Sequence, residues 1–169
     1  MGKTRDEQVE DNMKRVEAND AFSICMLADS YYHGLNSFQQ DQTKGMELYI
    51  RAANLGCRQA HHHMADIYQG AGILKKAKFH YEAAAMAGNE AARNSLGCIE
   101  FESGNIERAI KHWTIGASAG GYIAMHHLRI CFEKGHVSRE SMNSTLADYN
   151  ASCAEMRSEA RDAYIRNNQ

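Results

Sequence analysis

Three stretches of the sequence superpose without gaps at intervals of 32 residues, and this repeat constrains the fold more than any other feature. The segments are KGMELYIRAANLG, KAKFHYEAAAMAG and RAIKHWTIGASAG. Counted from Gly45, Ala77 and Ala109, the matching positions fall at offsets 0, 3–4, 7–8 and 11, so they share one face of a helix. Each segment closes on a glycine (Gly56, Gly88, Gly120), the residue best suited to the left-handed conformation that ends helices. The sequence therefore predicts three similar helices, which we call B helices.

A second set of helices, which we call A helices, precedes the B helices. A large apolar anchor residue lies eight residues after each closing glycine, at Met64, Leu96 and Leu128. The same spacing applied backwards gives Leu27, with Asn19 in place of the glycine; asparagine is the second choice for a left-handed cap. The A helices are predicted to start near residues 20, 58, 89 and 121. Each unit is then an A–B helix pair, and such pairs must stack to bury their apolar faces.

The two ends of the chain differ from the repeating units. A final helix is predicted over residues 139–166, about 42 Å long. Its apolar stripe is expected to cap the stack and comprises Leu146, Tyr149, Cys153, Met156, Ala160 and Ala163. A short N-terminal helix with Val9, Met13 and Val16 is its counterpart. The link between the first A and B helices is five residues longer than the next two links. The absence of proline and the 13 glycines fit helices joined by short glycine turns.

The length of 169 residues predicts one domain. Within it we expect a capping helix, three repeats, and a fourth repeat that includes the long final helix. The predicted bounds are 1–18, 19–56, 57–88, 89–120 and 121–169.

Composition argues against several functions. Nineteen lysines and arginines against 21 aspartates and glutamates leave a net charge of −2 with no basic run, which argues against nucleic-acid binding. No apolar stretch approaches 18 residues, so no membrane span is predicted. Five cysteines without a close pair indicate reduced thiols and a cytoplasmic or nuclear location. Catalytic sequence motifs are not found, so the chain is predicted not to be an enzyme.

The combined pattern A-x-x-x-L-G-x-x-Y-x-x-G, followed by A-x-x-W-Y-x-x-A-A-x-x-G, resembles the Sel-one-like repeat, a branch of the tetratricopeptide-like helical repeats. The resemblance covers residues 19–149. Three departures are expected to weaken local stability. Gly45 replaces an alanine, Glu100 replaces a tyrosine, and Gly70-Ala71-Gly72 forms the second glycine turn.

The resemblance implies an all-α fold, a right-handed superhelical α-solenoid, and a function as a non-catalytic scaffold or adaptor. Members of the family hold a partner protein, peptide or helix in a groove lined by the A helices. Two alternatives stay open: a self-associating module of a larger assembly or longer chain, and a β-lactam-type hydrolase or binder. The hydrolases of the family carry paired cysteines within units, and this chain lacks them.

The resemblance also places certain A-helix positions on the concave face, namely two before the anchor and two, five and six after it. The predicted partner-binding residues are Asp29, Tyr32, His33, His62, Asp66, Gln69, Asn94, Cys98, Phe101, Glu102, His126, Ile130 and Glu133. Cys25 and Lys134 occupy equivalent positions. A mixed polar and aromatic strip of this kind suits hydrogen bonding to an extended peptide or a helix.

The histidines raise the question of a metal. His62 and Asp66 share a helix face, and Cys98 on the next A helix would lie between them and His126 of the A helix after it. Neighbouring A helices are about 9–10 Å apart, so His62 and His126 are separated by about two spacings, too far for ligands that must lie about 2.0–2.3 Å from zinc. We therefore predict no metal and no cofactor. Cys98 beside His62 or His126 would suit a nucleophile, but a small core or groove residue is favoured. His80 and His112 occupy aromatic positions of B helices and are interpreted as packing residues.

Overall fold

A computed structural model describes the backbone of residues 5–167 and the side chains of residues 10–160, 163 and 166. Over that range the chain forms nine α-helices and no strand. They are α1 (Arg5–Glu17), α2 (Ala21–His33), α3 (Gln42–Asn54), α4 (Arg58–Gly70), α5 (Leu74–Met86), α6 (Glu90–Glu102), α7 (Ile106–Ser118), α8 (Tyr122–Glu133) and α9 (Arg139–Asn167).

The predicted alternation of A and B helices is confirmed. The A helices are α2, α4, α6 and α8, and each begins within one residue of its predicted start. The B helices are α3, α5 and α7, and each packs against the A helix that precedes it. The first A–B link runs over residues 34–41, whereas the next two have only residues 71–73 and 103–105, as the spacing predicted. No described helix is long and apolar enough to cross a membrane.

The chain divides into two compact units between Asn89 and Glu90. The first unit holds α1 to α5 and the second holds α6 to α9. The division falls one residue after the predicted boundary between the second and third repeats, which lies between residues 88 and 89. The prediction that the whole chain is one domain stays a prediction.

The glycine turns close the helices as predicted. Asn19, Gly56, Gly88 and Gly120 all have positive φ, between 60° and 89°. In the Gly56 turn, the N–H of Gly56 donates to the carbonyl of Ala53 at 2.9 Å, and the N–H of Cys57 donates to the carbonyl of Ala52 at 3.0 Å. The other three turns repeat this pair of bonds. This is the Schellman arrangement, which satisfies the last carbonyls of a helix.

The first unit is built around the apolar faces of α1 to α4. Val16, Ile24, Leu27, Tyr49 and Met64 belong to one buried cluster. Of the predicted N-terminal stripe, Val16 is buried and Met13 is exposed. The side chain of Val9 lies outside the described residues.

The second unit packs around Trp113, Leu128, Cys131 and Val137. Helix α9 lies against α7 and α8, so it packs on the last repeat as the sequence predicted. Its attachment to α7 is partly polar, because the Ser152 hydroxyl donates to a backbone carbonyl of α7 at 2.7 Å.

The predicted apolar stripe of α9 is wrong in detail. Leu146 is 42% exposed and Met156 is 48% exposed, and Ala160 is also exposed. The buried residue is Thr145, whose hydroxyl donates to the carbonyl of Ser141 at 3.0 Å. Tyr149, Cys153 and Ala163 of the predicted stripe are half-buried, so the contact face keeps part of the stripe and adds the polar residues Thr145 and Ser152.

Two of the three departures from the repeat pattern are accommodated, which corrects the expectation that they weaken the fold. A Cβ atom at Gly45 would lie 2.7 Å from the Cβ of Tyr32, so this position requires glycine. Glu100 is buried, yet its carboxylate accepts a hydrogen bond from Asn105 at 2.8 Å and lies 3.8 Å from the Arg108 guanidinium. The third departure places Gly72 at the left-handed position of its turn, with a φ of 72°.

Candidate functional site

Tyrosines of the B helices hold A-helix carboxylates in place in the first unit. The buried Tyr49 of α3 donates its hydroxyl to Asp29 of α2 at 2.5 Å. Tyr81 of α5 repeats this at Asp66 of α4, at 2.6 Å, and its hydroxyl is also 2.6 Å from the side-chain oxygen of Gln69. Three of the predicted partner-binding residues are thereby anchored to their own repeat. The hydrogen bonds restrict the positions of these side chains in the folded chain.

Two consecutive histidines of α4 extend this polar surface. His62 Nδ1 lies 3.4 Å from Asp66 Oδ2, and His63 Nε2 lies 3.6 Å from Asp29 Oδ1. The two rings contact Tyr81 and Tyr49, with centroid separations of 5.9 and 5.6 Å. Burial lowers the pKa of His62, with Asp66 opposing the shift. The imidazole is therefore biased toward its neutral form, in which one nitrogen donates and the other accepts.

The remaining predicted residues of the first unit surround this surface. Tyr32 is half-buried and its ring lies 5.9 Å from that of Tyr49. His33 is exposed and packs edge-on against Tyr32. Cys25 does not line an open groove as expected, because it is only 1% exposed and belongs to the core. Burial raises the pKa of its thiol well above the ordinary value.

His80 is a packing residue, as its register predicted. Its ring stacks on Tyr68 at 5.5 Å, and its Nδ1 lies 3.0 Å from Nδ1 of His61. For these two Nδ1 atoms to form a hydrogen bond, one must carry a proton and the other must not. This is possible when both imidazoles are neutral. Burial lowers the pKa of both histidines. The corresponding His112 of α7 is half-buried.

The second unit contains a cleft of about 210 Å³ that brings several predicted residues together. Cys98, Phe101 and Glu102 come from α6, and Ile130 comes from α8. The remaining residues around the cleft are Trp113, His127, Cys131 and Lys134. Four of the thirteen predicted partner-binding residues thus line one concave feature.

Aromatic contacts build the floor of this cleft. The His127 ring stacks on the buried Trp113 indole, with centroids 4.7 Å apart and planes 15° apart. Phe101 packs against the same indole at 5.6 Å. At the rim, the Lys134 ammonium lies 6.0 Å from the Phe101 ring centroid, and Glu102 is exposed. The cleft therefore offers an apolar floor between one cation and one anion.

The thiol in this cleft is not set up for nucleophilic attack. Cys98 Sγ lies 3.8 Å from Nε2 of His127, so its neighbour is neither His62 nor His126, as had been considered. Burial and the charge of Glu102 raise the pKa of Cys98, and a weaker interaction with the Trp113 indole opposes them. Burial lowers the pKa of His127. Both shifts favour the neutral thiol and the neutral imidazole, which suits non-covalent contact.

The other predicted residues of the second unit lie outside this cleft. His126 and Glu133 are exposed, and both lie near Arg129, at 3.4 and 3.9 Å. Asn94 is half-buried and has no hydrogen-bond partner for its side-chain oxygen. It lines a separate cleft of about 450 Å³ at the start of α6 and α8, together with Tyr122 and Ile123.

Sequence reasoning missed the residues one position before the anchors, His63 and His127. The signal was available, since His62-His63 and His126-His127 occupy equivalent positions of two A helices. It also did not predict that the hydroxyls of Tyr49 and Tyr81 bond to carboxylates of the A helices.

Comparison with known proteins agrees with this architecture. The family model of the Sel1 repeat matches residues 21–57, 58–89 and 96–121, more than half of the chain. The chain belongs to the Sel1 repeat family. Sel1 repeat proteins are generally protein-interaction scaffolds, and their fold is typically non-catalytic. No curated protein matches the sequence.

Three solved structures share the fold of this Sel1 repeat chain. A Sel1 repeat protein from Oxalobacter formigenes matches with a TM-score of 0.73 and 21% identity over 88% of this chain and 64% of its own. The antigen c5321 of uropathogenic Escherichia coli strains, which displays an SLR fold, matches with a TM-score of 0.66 and 25% identity over 87% of this chain and 33% of its own. The immunity protein Pa5087 from Pseudomonas aeruginosa matches with a TM-score of 0.52 and 18% identity over 90% and 76%.

The present chain therefore spans less than two thirds of the Oxalobacter protein and one third of the Escherichia antigen. The likenesses confirm the predicted fold class, an all-α solenoid of tetratricopeptide-like repeats.

Proposed function

We propose that this Sel1 repeat chain is a non-catalytic interaction module that binds a peptide or helix of a partner protein along its A helices. The observation that carries the proposal is the cleft of the second unit, where Cys98, Phe101, Glu102 and Ile130 converge. The resemblance to the repeat family had placed these positions on the concave face, and the four residues line one cavity of about 210 Å³.

The chemistry of the cleft suits one anchoring side chain of a partner. Trp113, Phe101 and Ile130 supply apolar contact, and anchors that fill such pockets carry most of the energy of an interface. Lys134 and Glu102 at the rim can orient the polar backbone or charged neighbours of that anchor. A peptide with an apolar anchor flanked by charges of both signs is the expected ligand.

The first unit offers a complementary polar surface. Its carboxylates and imidazoles are held by tyrosine hydroxyls, so donors and acceptors are presented in fixed positions. Specificity in such a module comes from hydrogen bonds that an incorrect partner leaves unmade. A reducing compartment, the cytoplasm, is part of the proposal, and the five free cysteines support it.

The test is selection of binding peptides from a displayed library on the purified chain, followed by affinity measurement. Ile130→Trp, which fills the cleft, should abolish binding of the selected peptides. The exposed rim changes Glu102→Lys and Lys134→Glu should each weaken binding by about 3- to 10-fold, the range of surface charge contacts.

Matched control variants carry the same charge reversals on the exposed face of α7, at Glu107→Lys and Lys111→Glu. These should bind the peptides as the wild type does, with circular dichroism confirming equal helicity. Peptides that bind Ile130→Trp and the wild type equally would remove the cleft from the proposal.

A further inference from the structure

Helices α2 and α4 bring three metal-ligating side chains together inside the first unit. Cys25 and Asp29 are four residues apart on α2, and His63 lies opposite on α4. One ligand atom from each, the thiol sulfur, a carboxylate oxygen and a ring nitrogen, lie within 4.8 Å of one another. We propose that Cys25, Asp29 and His63 form a Zn²⁺ site with one open coordination position.

The ligand set determines the metal. A thiolate with an imidazole and a carboxylate is a donor set that zinc accepts, whereas calcium and magnesium require oxygen ligands. Zinc holds its ligands at about 2.0–2.3 Å in a tetrahedron, so neighbouring ligand atoms come within about 3.5 Å. His63 Nε2 and Asp29 Oδ1 are already 3.6 Å apart. The other two pairs of ligand atoms must close from at most 4.8 Å to about 3.5 Å when zinc binds.

A supporting contact orients the carboxylate. The Tyr49 hydroxyl donates to Asp29 at 2.5 Å, and the Tyr49 ring packs against His63 at 5.6 Å. Metal ligands are commonly fixed by such outer partners, which hold the ligand rotamer before the metal arrives. One buried tyrosine therefore positions two of the three ligands.

The three ligands differ in their exposure to solvent, so the site has an open side and a buried side. The Cys25 residue is 1% exposed, the Asp29 side chain 20%, and the His63 side chain 38%. Zinc entering from the A-helix surface meets His63 and Asp29 first and the thiol last. As the Zn–S bond forms, the thiol releases its proton to solvent, and the fourth position remains for water or a partner's side chain.

A second trio, His62, His63 and Asp66, competes for the shared histidine. It lies on one helix and its carboxylate side chain is 50% exposed. The first trio is favoured because the thiolate is the strongest zinc donor of the five and the site is shielded from water. The sequence predicted no metal in the chain, after weighing only the set that joins His62 and Asp66 to Cys98 and His126, and the trio proposed here departs from that prediction.

The experiment is titration of the reduced, full-length chain with Co²⁺ as a spectroscopic probe, then with Zn²⁺ against a chromophoric chelator. The wild type should bind one equivalent of Co²⁺ with a thiolate-to-cobalt charge-transfer band. Cys25→Ser should lose that band, and Asp29→Asn and His63→Gln should each weaken zinc binding at least about tenfold. Tyr49→Phe, which removes only the supporting hydroxyl, should weaken it about tenfold.

The matched controls are His126→Gln, which alters a consecutive histidine pair in the second unit, and His62→Gln/Asp66→Asn. Both should keep the band and the wild-type affinity. Circular dichroism will show whether Cys25→Ser is folded. At one zinc concentration, zinc should raise the melting temperature of the wild type more than that of His63→Gln, a change at a more exposed residue. A cobalt complex without the thiolate band, or binding lost in either control, would overturn the proposal.

Discussion

Two glycines inside helices let neighbouring residues approach more closely than any side chain would permit. A Cβ atom at Gly97 of α6 would lie 2.3 Å from the Trp113 indole nitrogen, and one at Gly45 of α3 would lie 2.7 Å from Tyr32 Cβ. The structure shows that at these two positions even alanine is too large.

Replacing Gly97 by alanine should destabilise the chain by about 1–3 kcal/mol, the cost of forcing an extra methyl group into a packed core. The gain in helix propensity, about 1 kcal/mol, offsets part of it. The measurement is urea denaturation followed by circular dichroism and by Trp113 emission. Gly70→Ala is the matched control, because no atom lies within 4 Å of a Cβ there. Equal midpoints for Gly97→Ala and Gly70→Ala would show that the indole moves away at little cost.

Trp113 is the only tryptophan in the chain, and its contact with His127 predicts a pH-dependent emission. A protonated imidazole quenches a stacked indole. Burial, and then the charge of His126, lower the pKa of His127 below its ordinary 6.5, so quenching should develop with a midpoint below pH 6.5. His127→Gln should remove the transition and the exposed control His136→Gln should keep it. An unchanged transition in His127→Gln would contradict the assignment.

The lowered pKa of His127 also makes the stability of the fold depend on pH. Because the pKa of His127 is lower in the folded chain than in the unfolded one, protons bind preferentially to the unfolded state. The stabilisation is complete above pH 6.5 and is lost as the pH falls through the folded-state pKa. His61, His62 and His80 shift in the same direction for the same leading cause, burial.

At the scale of helices, a cation near the start of each B helix meets the residue four positions after the A-helix anchor. The Lys44 ammonium lies 3.9 Å from the Tyr31 ring centroid. In the next pair, the Lys76 ammonium lies 5.1 Å from the Tyr68 ring centroid. In the third pair, Arg108 faces the buried Glu100. Where glutamate replaces the tyrosine, an ion pair replaces the cation–π contact between the same two helices.

Because the cation faces a glutamate in the third pair and a tyrosine in the second, removing it should reduce the free energy of unfolding by different amounts. Arg108→Gln leaves the buried Glu100 carboxylate with one contact fewer and should destabilise the chain by about 1–3 kcal/mol. The matched change Lys76→Gln removes only a cation–π contact and should cost about 0.5–1 kcal/mol. Thermal and urea unfolding measure both. Equal costs, or a larger one for Lys76→Gln, would show that Arg108 does not compensate the buried charge.

Helix positions and turns could be predicted from the sequence because each depends on local register. Asn19 and Gly56 mark helix ends whatever surrounds them, and the anchors locate the A helices within one residue. Contacts between helices depend on side-chain direction and could not be read in this way. The face of α9 was misassigned at Leu146 because Thr145 can bury itself by bonding its own helix. The roles of His63 and His127 depend on tyrosine and tryptophan partners from other helices.

For the whole molecule, the prediction of one solenoid domain can be tested by unfolding. Trp113 emission reports on the second unit alone, whereas far-ultraviolet circular dichroism reports on helices of both units. If the chain is one cooperative domain, the two signals should give the same urea midpoint and the same slope. The Gly97→Ala variant should then shift both signals equally. Emission that shifts while most of the helical signal does not would show two independent domains.

The short turns between paired helices have a consequence for engineering. An added Cβ at Gly72 or at Gly104 meets no atom within 4 Å, and the corresponding link of the first pair is already longer, over residues 34–41. The two turns differ in the residue that follows the glycine. Ile73 after Gly72 is exposed, whereas Asn105 after Gly104 donates its side-chain amide to the buried Glu100 carboxylate at 2.8 Å. A dye-labelling tag placed after Gly72 therefore reports on the first unit without breaking such a bond, whereas one placed after Gly104 is expected to destabilise the second unit.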